Sequence, residues 1–286
     1  MTRSNVARLV VSCRDREGII ATLSEALRDV GANIITSDQF SSDPYGGTFS
    51  LRMEFYVPDD PEERLSKLDA RLAEIGSVFG LDYELIDAKR RKRVALFVSR
   101  FDHCLLDLLW RWRRGELDMD VIAVVSNHPD LQEEVARFGV PYHHIPVNKD
   151  NKPEAEQAQI DLLAGEAELV VMARYMQVLS ADFLQRIGCP VINIHHSFLP
   201  AFAGAGPYQR AHERGVKLIG ATAHYATEDL DEGPIIEQDV VRVTHRHDAA
   251  TLERIGADVE RLVLARAVIW HLADRVLLQG SRTIVV

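Results

Sequence analysis

The sequence predicts an α/β protein in two parts: a small sheet with two helices, then a larger and mostly parallel sheet. Apolar, strand-like runs alternate with amphipathic helical runs over most of the 286 residues. The order of these runs changes after five consecutive Lys and Arg residues at positions 89–93. Five adjacent cations repel one another and cannot be buried together, so this stretch is expected to be a solvated linker. The two parts are then residues 1–88 and 94–286.

The composition is that of an ordinary globular protein, with 47% hydrophobic and 27% charged residues. Lys and Arg number 33 against 43 Asp and Glu, and the net charge of −10 argues against a nucleic-acid partner. No apolar run reaches the length of a membrane span, and the first residues lack the apolar core of a signal peptide. Cys13, Cys104 and Cys189 lie far apart without a Cys-x-x-Cys pair, which favours a reduced, cytoplasmic protein.

The first part predicts the order βαββαβ. The strands are expected at 6–13, 33–41, 47–57 and about 81–87, and the helices at about 19–30 and 61–75. Gly31 is placed to end the first helix, and Pro61 lies in the first turn of the second. This is the ferredoxin-like order, in which a sheet carries two helices on one face.

The second part predicts a Rossmann-like arrangement, because strands and helices alternate along it. The strands are expected at 94–99, 119–126, 142–147, 168–173 and 190–194, and the helices at 102–113, 129–138, 153–165 and 180–187. Two further strands, at 216–225 and 234–243, flank an acidic loop, and a long helix at 249–278 follows.

Asn193 and His195 form the most informative pair of residues. They end an apolar strand, and a spacing of two places both side chains on the same face of that strand. In parallel α/β sheets, ligands bind outside the carboxyl ends of the strands. An amide can hold a developing oxyanion and an imidazole can move a proton, so the pair suits acyl chemistry. Asp231, in the acidic loop, is the candidate carboxylate that would orient the imidazole.

Residues 13–19 (Cys-Arg-Asp-Arg-Glu-Gly-Ile) and 31–34 (Gly-Ala-Asn-Ile) resemble the ACT domain. ACT domains usually bind amino acids at subunit interfaces. The resemblance implies an amino-acid effector near Asp15, Gly18 and Asn33, and a homo-oligomer, either dimer or tetramer. The bare backbone of Gly18 would allow close approach of a ligand or a neighbouring chain. A dimerisation domain without a ligand is the open alternative.

Three motifs resemble the formyltransferase domain that uses 10-formyltetrahydrofolate: residues 173–180, 193–200 and 224–233. The resemblance implies that Asn193, His195 and Asp231 are the catalytic set. It further implies that the pterin pocket is lined, largely through backbone groups, by Met176, Gln177, Val178 and Leu179. His224 lies either in the site or in the strand as an ordinary hydrogen-bonded histidine.

The acceptor of the formyl group is predicted from the rest of the chain. Glycinamide ribonucleotide formyltransferases carry a glycine-rich loop after the first strand, suited to a substrate phosphate. Here residues 99–104 read Ser-Arg-Phe-Asp-His-Cys, without glycine. Methionyl-tRNA formyltransferases lack a preceding ACT-like domain and typically add a different C-terminal domain.

The combination of an ACT-like and a formyltransferase-like domain resembles formyltetrahydrofolate deformylases over nearly the whole chain. It implies hydrolysis to tetrahydrofolate and formate, with no cofactor and no metal. A formyltransferase with an unrecognised amine acceptor and a catalytically idle folate- or amino-acid-binding regulator are the alternatives. Arg210 stands where the family pattern leads us to expect Gln.

Other reactive residues are expected to be structural. Cys104 lies near a helix start but stands alone as a nucleophile, and a lone cysteine of this kind is usually inert. His143-His144 and the His245/His247 pair lack a second ligand cluster at usable spacing, so surface or strand roles are expected rather than metal binding.

Overall fold

The structure, a computed structural model, describes residues 5–200 and 206–286. Its internal contacts divide the chain into two units. One unit holds the N-terminal stretch as far as Arg91 together with Asp274–Gln279 and Ile284–Val286. The other holds Lys92–Ala273 and Gly280–Thr283. No helix in the described part of the chain is both long and apolar enough to cross a bilayer.

The first unit has the predicted βαββαβ order. Its elements are β1 (Val6–Arg14), α1 (Ile19–Asp29), β2 (Asn33–Ser41), β3 (Thr48–Tyr56), α2 (Pro61–Phe79) and β4 (Asp82–Asp87). The strands form a sheet of order β2-β3-β1-β4 whose neighbours are all antiparallel. Every second residue of β1 is buried, and Leu9 and Phe55 of the sheet pack with Leu23 of α1 and Leu72 of α2.

β2 is an edge strand whose residues are exposed along its whole length. Ile34, Ile35 and Phe40 are 38%, 45% and 41% exposed, which is high for large apolar side chains. Edge strands of this kind offer unpaired backbone groups to another chain. The first unit therefore presents an edge strand with three exposed apolar side chains, and one side of this strand is unpaired among the described residues.

The second unit is built on a seven-stranded sheet of order β11-β10-β9-β8-β5-β6-β7. Its strands are β5 (Lys92–Val98), β6 (Met119–Ser126), β7 (Tyr142–His144), β8 (Leu169–Met172), β9 (Val191–His195), β10 (Leu218–Tyr225) and β11 (Ile235–Arg242). Its helices are α3 (His103–Arg113), α4 (Gln132–Ala136), α5 (Lys152–Leu163), α6 (Ala181–Arg186), α7 (Pro207–Arg214) and α8 (Ala249–Leu272). β5 to β9 pair in parallel, whereas β10 pairs antiparallel with both β9 and β11. The mostly parallel sheet predicted from the sequence is confirmed.

Phe97 lies in the core of the second unit, at the centre of the parallel sheet, and contacts two other aromatic rings. It lies in the fully buried run at the end of β5, as expected for a strand covered on both faces. Its ring meets Tyr175 edge-on at 5.2 Å and Phe183 at 6.1 Å, measured between ring centroids. These contacts fix the segment after β8 against the sheet.

The predicted end of the last helix was wrong, and a C-terminal hairpin and one short helix were not predicted. The last helix ends at Leu272 rather than at residue 278, because Asp274 adopts a left-handed φ of 54° and turns the chain. The apolar residues that extended the helical pattern belong instead to the hairpin β12 (Val276–Gln279) and β13 (Arg282–Val285). Helix α7 was not predicted, since its sequence is polar apart from three residues.

The predicted linker at positions 89–93 is shorter than expected, because Lys92 and Arg93 belong to β5. Arg93 reaches the exposed end of the sheet, where its Nη1 donates to Glu166 at 2.9 Å. A long cationic side chain can leave a strand end and keep its charge at the surface. Two cations at a strand start are thus compatible with a buried strand.

Candidate active site

A cavity of about 260 Å³ opens beside the ends of β8, β9 and β10. Its walls include the four residues predicted to be catalytic, Asn193, His195, His224 and Asp231, and the four predicted to bind substrate, Met176, Gln177, Val178 and Leu179. The structure thus brings all eight residues together, from segments that lie up to 55 positions apart in the sequence (231 − 176 = 55).

Asn193 and His224 are cross-strand neighbours, paired in the antiparallel register of β9 and β10. Nδ1 of His224 lies 2.9 Å from the carbonyl oxygen of Tyr225, which can only accept, so we place the ring proton on Nδ1. Nε2 is then an acceptor and takes a hydrogen bond from Nδ2 of Asn193 at 3.2 Å. Burial lowers the pKa of His224, in keeping with a neutral ring. The second amide hydrogen of Asn193 remains available to a ligand.

His195 and Asp231 form the second pair, with Nδ1 of His195 3.2 Å from Oδ1 of Asp231. The hydrogen bond from His195, foremost, lowers the pKa of Asp231, which keeps this side chain a carboxylate. Nδ1 therefore carries a proton and Nε2 holds the lone pair. Nε2 is buried and has no hydrogen-bond partner among the described residues. A lone pair held in this way is suited to accept a proton from a ligand in the cavity.

The acidic loop is fixed at Asp231 and Gly233. Asp231 has a φ of 61°, a left-handed conformation that residues other than glycine seldom adopt. A side chain on Gly233 would overlap the carbonyl oxygen of Tyr225 at the end of β10. The backbone N–H of Tyr225 in turn donates to the carbonyl of Pro234 at 3.0 Å. The close approach of these backbones sets Asp231 beside His195.

Ser99 anchors the segment after β8, and sequence reasoning gave it no role. Its hydroxyl accepts a hydrogen bond from the backbone N–H of Met176 at 2.9 Å and donates to Oδ1 of Asn127 at 2.7 Å. Met176 and Val178 remain about half exposed, at 49% and 51%, on the open side of the cavity. The segment is held by its backbone while its side chains stay accessible.

Two buried polar residues of α5 hold the same segment from behind. Glu156 accepts from the backbone N–H and the hydroxyl of Ser180, at 3.0 and 2.5 Å. The amide of Gln159 donates to the hydroxyl of Tyr175 at 2.9 Å. Both side chains lie on the buried face of α5 together with Ile160 and Leu163, and their polar character hides that face in the sequence.

A buried cluster around Glu260 was likewise missed from the sequence. The carboxylate of this α8 residue lies 2.8 Å from Nε2 of His103, 2.5 Å from the hydroxyl of Tyr208 and 3.3 Å from Nε of Arg174. Burial would raise the pKa of Glu260, but the His103 hydrogen bond and the Arg174 charge outweigh it and hold the pKa below its ordinary value. The cluster is therefore an anion surrounded by donors.

His196 lies between this cluster and the catalytic pairs. Its ring centroid is 5.1 Å from that of His195 and 6.2 Å from that of Tyr208. Burial, followed by the positive charge of Arg174, lowers the pKa of His196 to about 4. The ring is accordingly neutral at neutral pH.

Three neighbouring residues, of which His103 is only partly buried, are close enough together to be considered as metal ligands. His103, Cys104 and Glu260 bring one ligand atom each within 4.8 Å of one another. Burial raises the pKa of the Cys104 thiol well above its ordinary value, which disfavours the thiolate that would bind a metal or act as a nucleophile. Nε2 of His103 is already bonded to Glu260. We interpret the group as a hydrogen-bonded cluster.

Known proteins resemble this chain over both units. The family model for the ACT domain matches residues 7–77, and the one for formyl transferase matches residues 92–268. A formyltetrahydrofolate deformylase from Mycobacterium tuberculosis is 58% identical over 286 residues, covering 99% of this chain and 91% of the relative. The chain belongs to the formyltetrahydrofolate deformylase family. Another deformylase, from Bacillus subtilis, is 50% identical over 279 residues, covering 97% of this chain and 93% of that protein.

Solved structures separate the deformylase family from its fold relatives. The deformylase of Burkholderia mallei superposes with a TM-score of 0.92 at 43% identity and covers 99% of both chains. Glycinamide ribonucleotide transformylase 1 of Symbiobacterium toebii has a TM-score of 0.64 at 28% identity, covering 68% of this chain and 94% of its own. The larger domain of the deformylase family is thus shared with transformylases, and the likeness to deformylases extends over the whole chain.

The ACT domain of this deformylase family member holds a separate, shallow cavity of about 360 Å³. Asp15 and Gly18 line it with Gln39 and Ser41, and the hydroxyl of Ser41 donates to the Asp15 carboxylate. Gly18 has a left-handed φ of 88° and open space where a side chain would be. Asn33, on the exposed edge strand, is not among the residues that line this cavity.

Proposed function

We propose that this chain hydrolyses 10-formyltetrahydrofolate to tetrahydrofolate and formate. The observation that carries the proposal is the pairing of His195 with Asp231 beside Asn193, in one cavity of a protein that belongs to the deformylase family. This arrangement supplies a base, its orienting carboxylate and an oxyanion donor around a single point.

Water is the nucleophile in the proposed reaction. Nε2 of His195 takes a proton as the water oxygen attacks the formyl carbon on N10 of the folate. Asp231 holds the ring by Nδ1 and stabilises the imidazolium that forms, and its second oxygen can orient the water. Asp231 is in the required carboxylate form near neutral pH, because the hydrogen bond from His195 lowers its pKa.

Asn193 stabilises the tetrahedral intermediate. One amide hydrogen is engaged by Nε2 of His224, and the other donates to the carbonyl oxygen as it becomes an oxyanion. His224 therefore acts on the reaction through Asn193, as a positioning residue. Loss of one oxyanion donor typically costs about 3–4 kcal/mol of barrier height.

Collapse of the intermediate completes the hydrolysis. The bond between the formyl carbon and N10 breaks, and N10 takes the proton that His195 carries. The formic acid released loses its proton to solvent and leaves as formate. The sequence of steps uses only side chains, water and the folate, so we propose that neither a metal nor a further cofactor takes part.

The folate head group is proposed to lie against residues 176–179. The backbone anchors of this segment at Ser99 and Glu156 support the role, because a held backbone presents fixed donors and acceptors to a heterocycle. The half-exposed side chains of Met176 and Val178 supply apolar surface on the same wall.

The ACT domain is proposed to bind an amino acid at the cavity of Asp15 and Gly18 and to assemble the chain into a homo-oligomer. The exposed edge strand β2 supports the assembly. We further propose a cytoplasmic enzyme whose formate supplies purine synthesis, without nucleic-acid partners. The three free cysteines and the acidic net charge support this setting.

The test of the proposed function is incubation of the full chain with 10-formyltetrahydrofolate and no amine. Formate and tetrahydrofolate should appear in equal amounts. Tetrahydrofolate that appears only after addition of an amine, together with a formylated amine in place of formate, would instead identify a transferase. Binding without turnover would identify a regulator. Replacing Asp231 with Asn in the same assay controls for spontaneous hydrolysis.

A further inference from the structure

We propose that Arg174 forms a carboxylate-binding subsite in the catalytic cavity and holds the formate product there. Arg174 lines the same cavity as Asn193, His195 and Asp231. Arg174 has no role in the proposed steps of hydrolysis. The proposal rests on that hydrolysis, because formate arises in this cavity only if the formyl group is cleaved there.

The guanidinium of Arg174 is buried and has unused donors. The side chain is 5% exposed, and Nε and Nη1 have no hydrogen-bond partner among the described residues. Nε lies 3.3 Å from a Glu260 oxygen, close enough for charge attraction but outside hydrogen-bond geometry. Buried N–H groups without acceptors are costly, so a ligand with oxygen acceptors that reaches them is favoured.

Glu260 attracts this arginine by charge but does not satisfy its donors, because Nε of Arg174 makes no hydrogen bond to either oxygen. One accepts from the Tyr208 hydroxyl and the other from His103. A side chain at Gly256, one turn earlier in α8, would overlap the Tyr208 hydroxyl. The tyrosine therefore packs directly against the backbone of α8. The cluster offsets the charge of Arg174 while leaving its donors to another acceptor.

Two further features fix the guanidinium beside the cavity. Its central carbon lies 4.7 Å from the centroid of the Phe101 ring, a cation–π contact. The backbone of Arg174 has a φ of 65°, a strained conformation for a residue with a side chain. The arginine is therefore held in place from both ends rather than free to seek a partner in solvent.

A small carboxylate fits this environment best. The planar fork of arginine matches the two oxygens of a carboxylate, and hydrolysis turns a neutral formyl group into one. The ring of His196 lies against that of His195, and the charges of both Arg174 and Asp231 act on its pKa. The guanidinium and the catalytic carboxylate therefore lie close enough to influence the same side chain. Formate, with three non-hydrogen atoms, is expected to bind no more tightly than about millimolar.

The experiment is a titration of ¹³C-formate into the full-length protein at constant ionic strength, followed by its NMR line width. The wild-type protein should broaden the signal saturably in the millimolar range. The double variant Arg174→Gln with Glu260→Gln should bind formate at least about ten-fold more weakly. The second substitution is needed because Glu260 alone would be a buried and unbalanced charge.

The matched control is Arg186→Gln, which removes an exposed arginine of the same unit. It should leave formate binding unchanged. In the hydrolysis assay, formate should inhibit the wild-type enzyme as a product, and Arg174→Lys should raise its inhibition constant. Equal formate affinity in the wild type and a folded double variant would overturn the subsite, as would displacement of formate by an equal concentration of chloride. Hydrolysis without Arg174-dependent formate binding would refute this proposal and leave the proposed function standing.

Discussion

At the scale of single residues, the site consists of two hydrogen-bonded pairs, and each pair orients one reactive group toward the cavity. Asp231 prepares Nε2 of His195 as a base, and His224 prepares the amide of Asn193 as a donor. The pKa of Asp231 and the pKa of His224 are both lowered, the first chiefly by a hydrogen bond and the second chiefly by burial. One pair therefore keeps its charge and the other stays neutral.

Replacing Asp231 with Asn tests the first pair. Asn tolerates the left-handed φ of 61° and has nearly the same shape, so the loop should be preserved. The neutral amide cannot stabilise an imidazolium, and kcat is expected to fall by about 10³- to 10⁴-fold with folate affinity retained. Steady-state kinetics with a separate binding titration measure both. Asp229→Asn, two residues earlier, is the control, and full activity in Asp231→Asn would remove this residue from the mechanism.

The second pair is tested by a double-mutant cycle. Asn193→Ala should lower kcat by about 100- to 1,000-fold. His224→Ala should lower it by up to about 100-fold, because the amide loses its orientation. Since His224 acts through Asn193, adding His224→Ala to Asn193→Ala should lower kcat little further. Fully multiplicative losses would mean that His224 acts independently of Asn193, either on the substrate or through Asp231, whose Oδ1 lies 3.8 Å from Nε2 of His224.

Burial of neutral His196 makes the folded chain less stable toward unfolding as the pH falls. Its pKa is about 4 in the folded chain and ordinarily about 6.5, so between these values the unfolded chain binds more protons. Folding stability therefore falls as the pH drops through this range, by at most about 1.4 kcal/mol per pH unit from this residue. Melting temperatures at pH 7 and pH 4.5 should differ less in His196→Gln than in the wild type. Equal differences would contradict the neutral buried ring.

The catalytic residues could be predicted from the sequence because each has a local signal. Asn193 and His195 follow a strand at a spacing of two, and Asp231 precedes a glycine in a loop. Arg174 and Glu260 gave no such signal, since an arginine and a glutamate are ordinarily surface residues. Their burial depends on contacts that join positions 86 residues apart (260 − 174 = 86), which no local pattern records.

At the scale of elements, the segment after β8 is held by side chains that never reach the cavity. Ser99 extends from the end of β5, and Glu156 and Gln159 extend from α5. Ser99 and Glu156 replace backbone partners that an irregular segment lacks, and Gln159 holds the side-chain hydroxyl of Tyr175. The backbone of this loop is therefore held by hydrogen bonds at both ends of residues 176–180, although it belongs to no strand or helix.

Ser99→Ala tests this anchoring. The backbone N–H of Met176 would lose its acceptor, at a cost of about 1 kcal/mol, because this hydrogen bond is only partly buried. We expect KM for the folate to rise several-fold with kcat nearly unchanged, because the chemical groups lie on other elements. Gln157→Ala, on the exposed face of α5, is the control. A fall in kcat without a change in KM would contradict a role in folate binding.

The order of most elements was predictable, but the end of α8 and the presence of α7 were not. Alternating apolar runs separated strands from helices correctly in both units. The end of α8 was missed because residues 276–278 are apolar and continue the helical period, whereas the left-handed Asp274 that stops the helix has no distinctive sequence. Helix α7 was missed because its polar composition resembles that of a loop.

At the scale of the whole molecule, a regulatory type of domain and a catalytic type of domain share one chain. All residues of the proposed active site belong to the second unit, and the exposed apolar edge strand belongs to the first. A long exposed edge favours pairing with an identical strand of another copy. Assembly is therefore expected to depend on the first unit.

Substitution in β2 tests this expectation. Ile35→Lys places a charge on the exposed edge and should convert the oligomer to smaller species while leaving the fold intact, since Ile35 is 45% exposed. Light scattering after size exclusion measures the mass. Tyr45→Lys, at a turn residue that is 93% exposed, should leave the mass unchanged. A monomeric wild type, or an unchanged mass in Ile35→Lys, would contradict assembly through this strand.

The pairing of Asn193 with His224 also makes enzymatic activity a reporter of folding. The two residues face one another only in the native register of β9 and β10, where the sheet changes from parallel to antiparallel. A slip of β10 by one residue would turn His224 to the face of the sheet opposite Asn193. During refolding, the recovery of turnover should therefore time the closure of this long-range strand pair, whereas circular dichroism registers helices that form earlier.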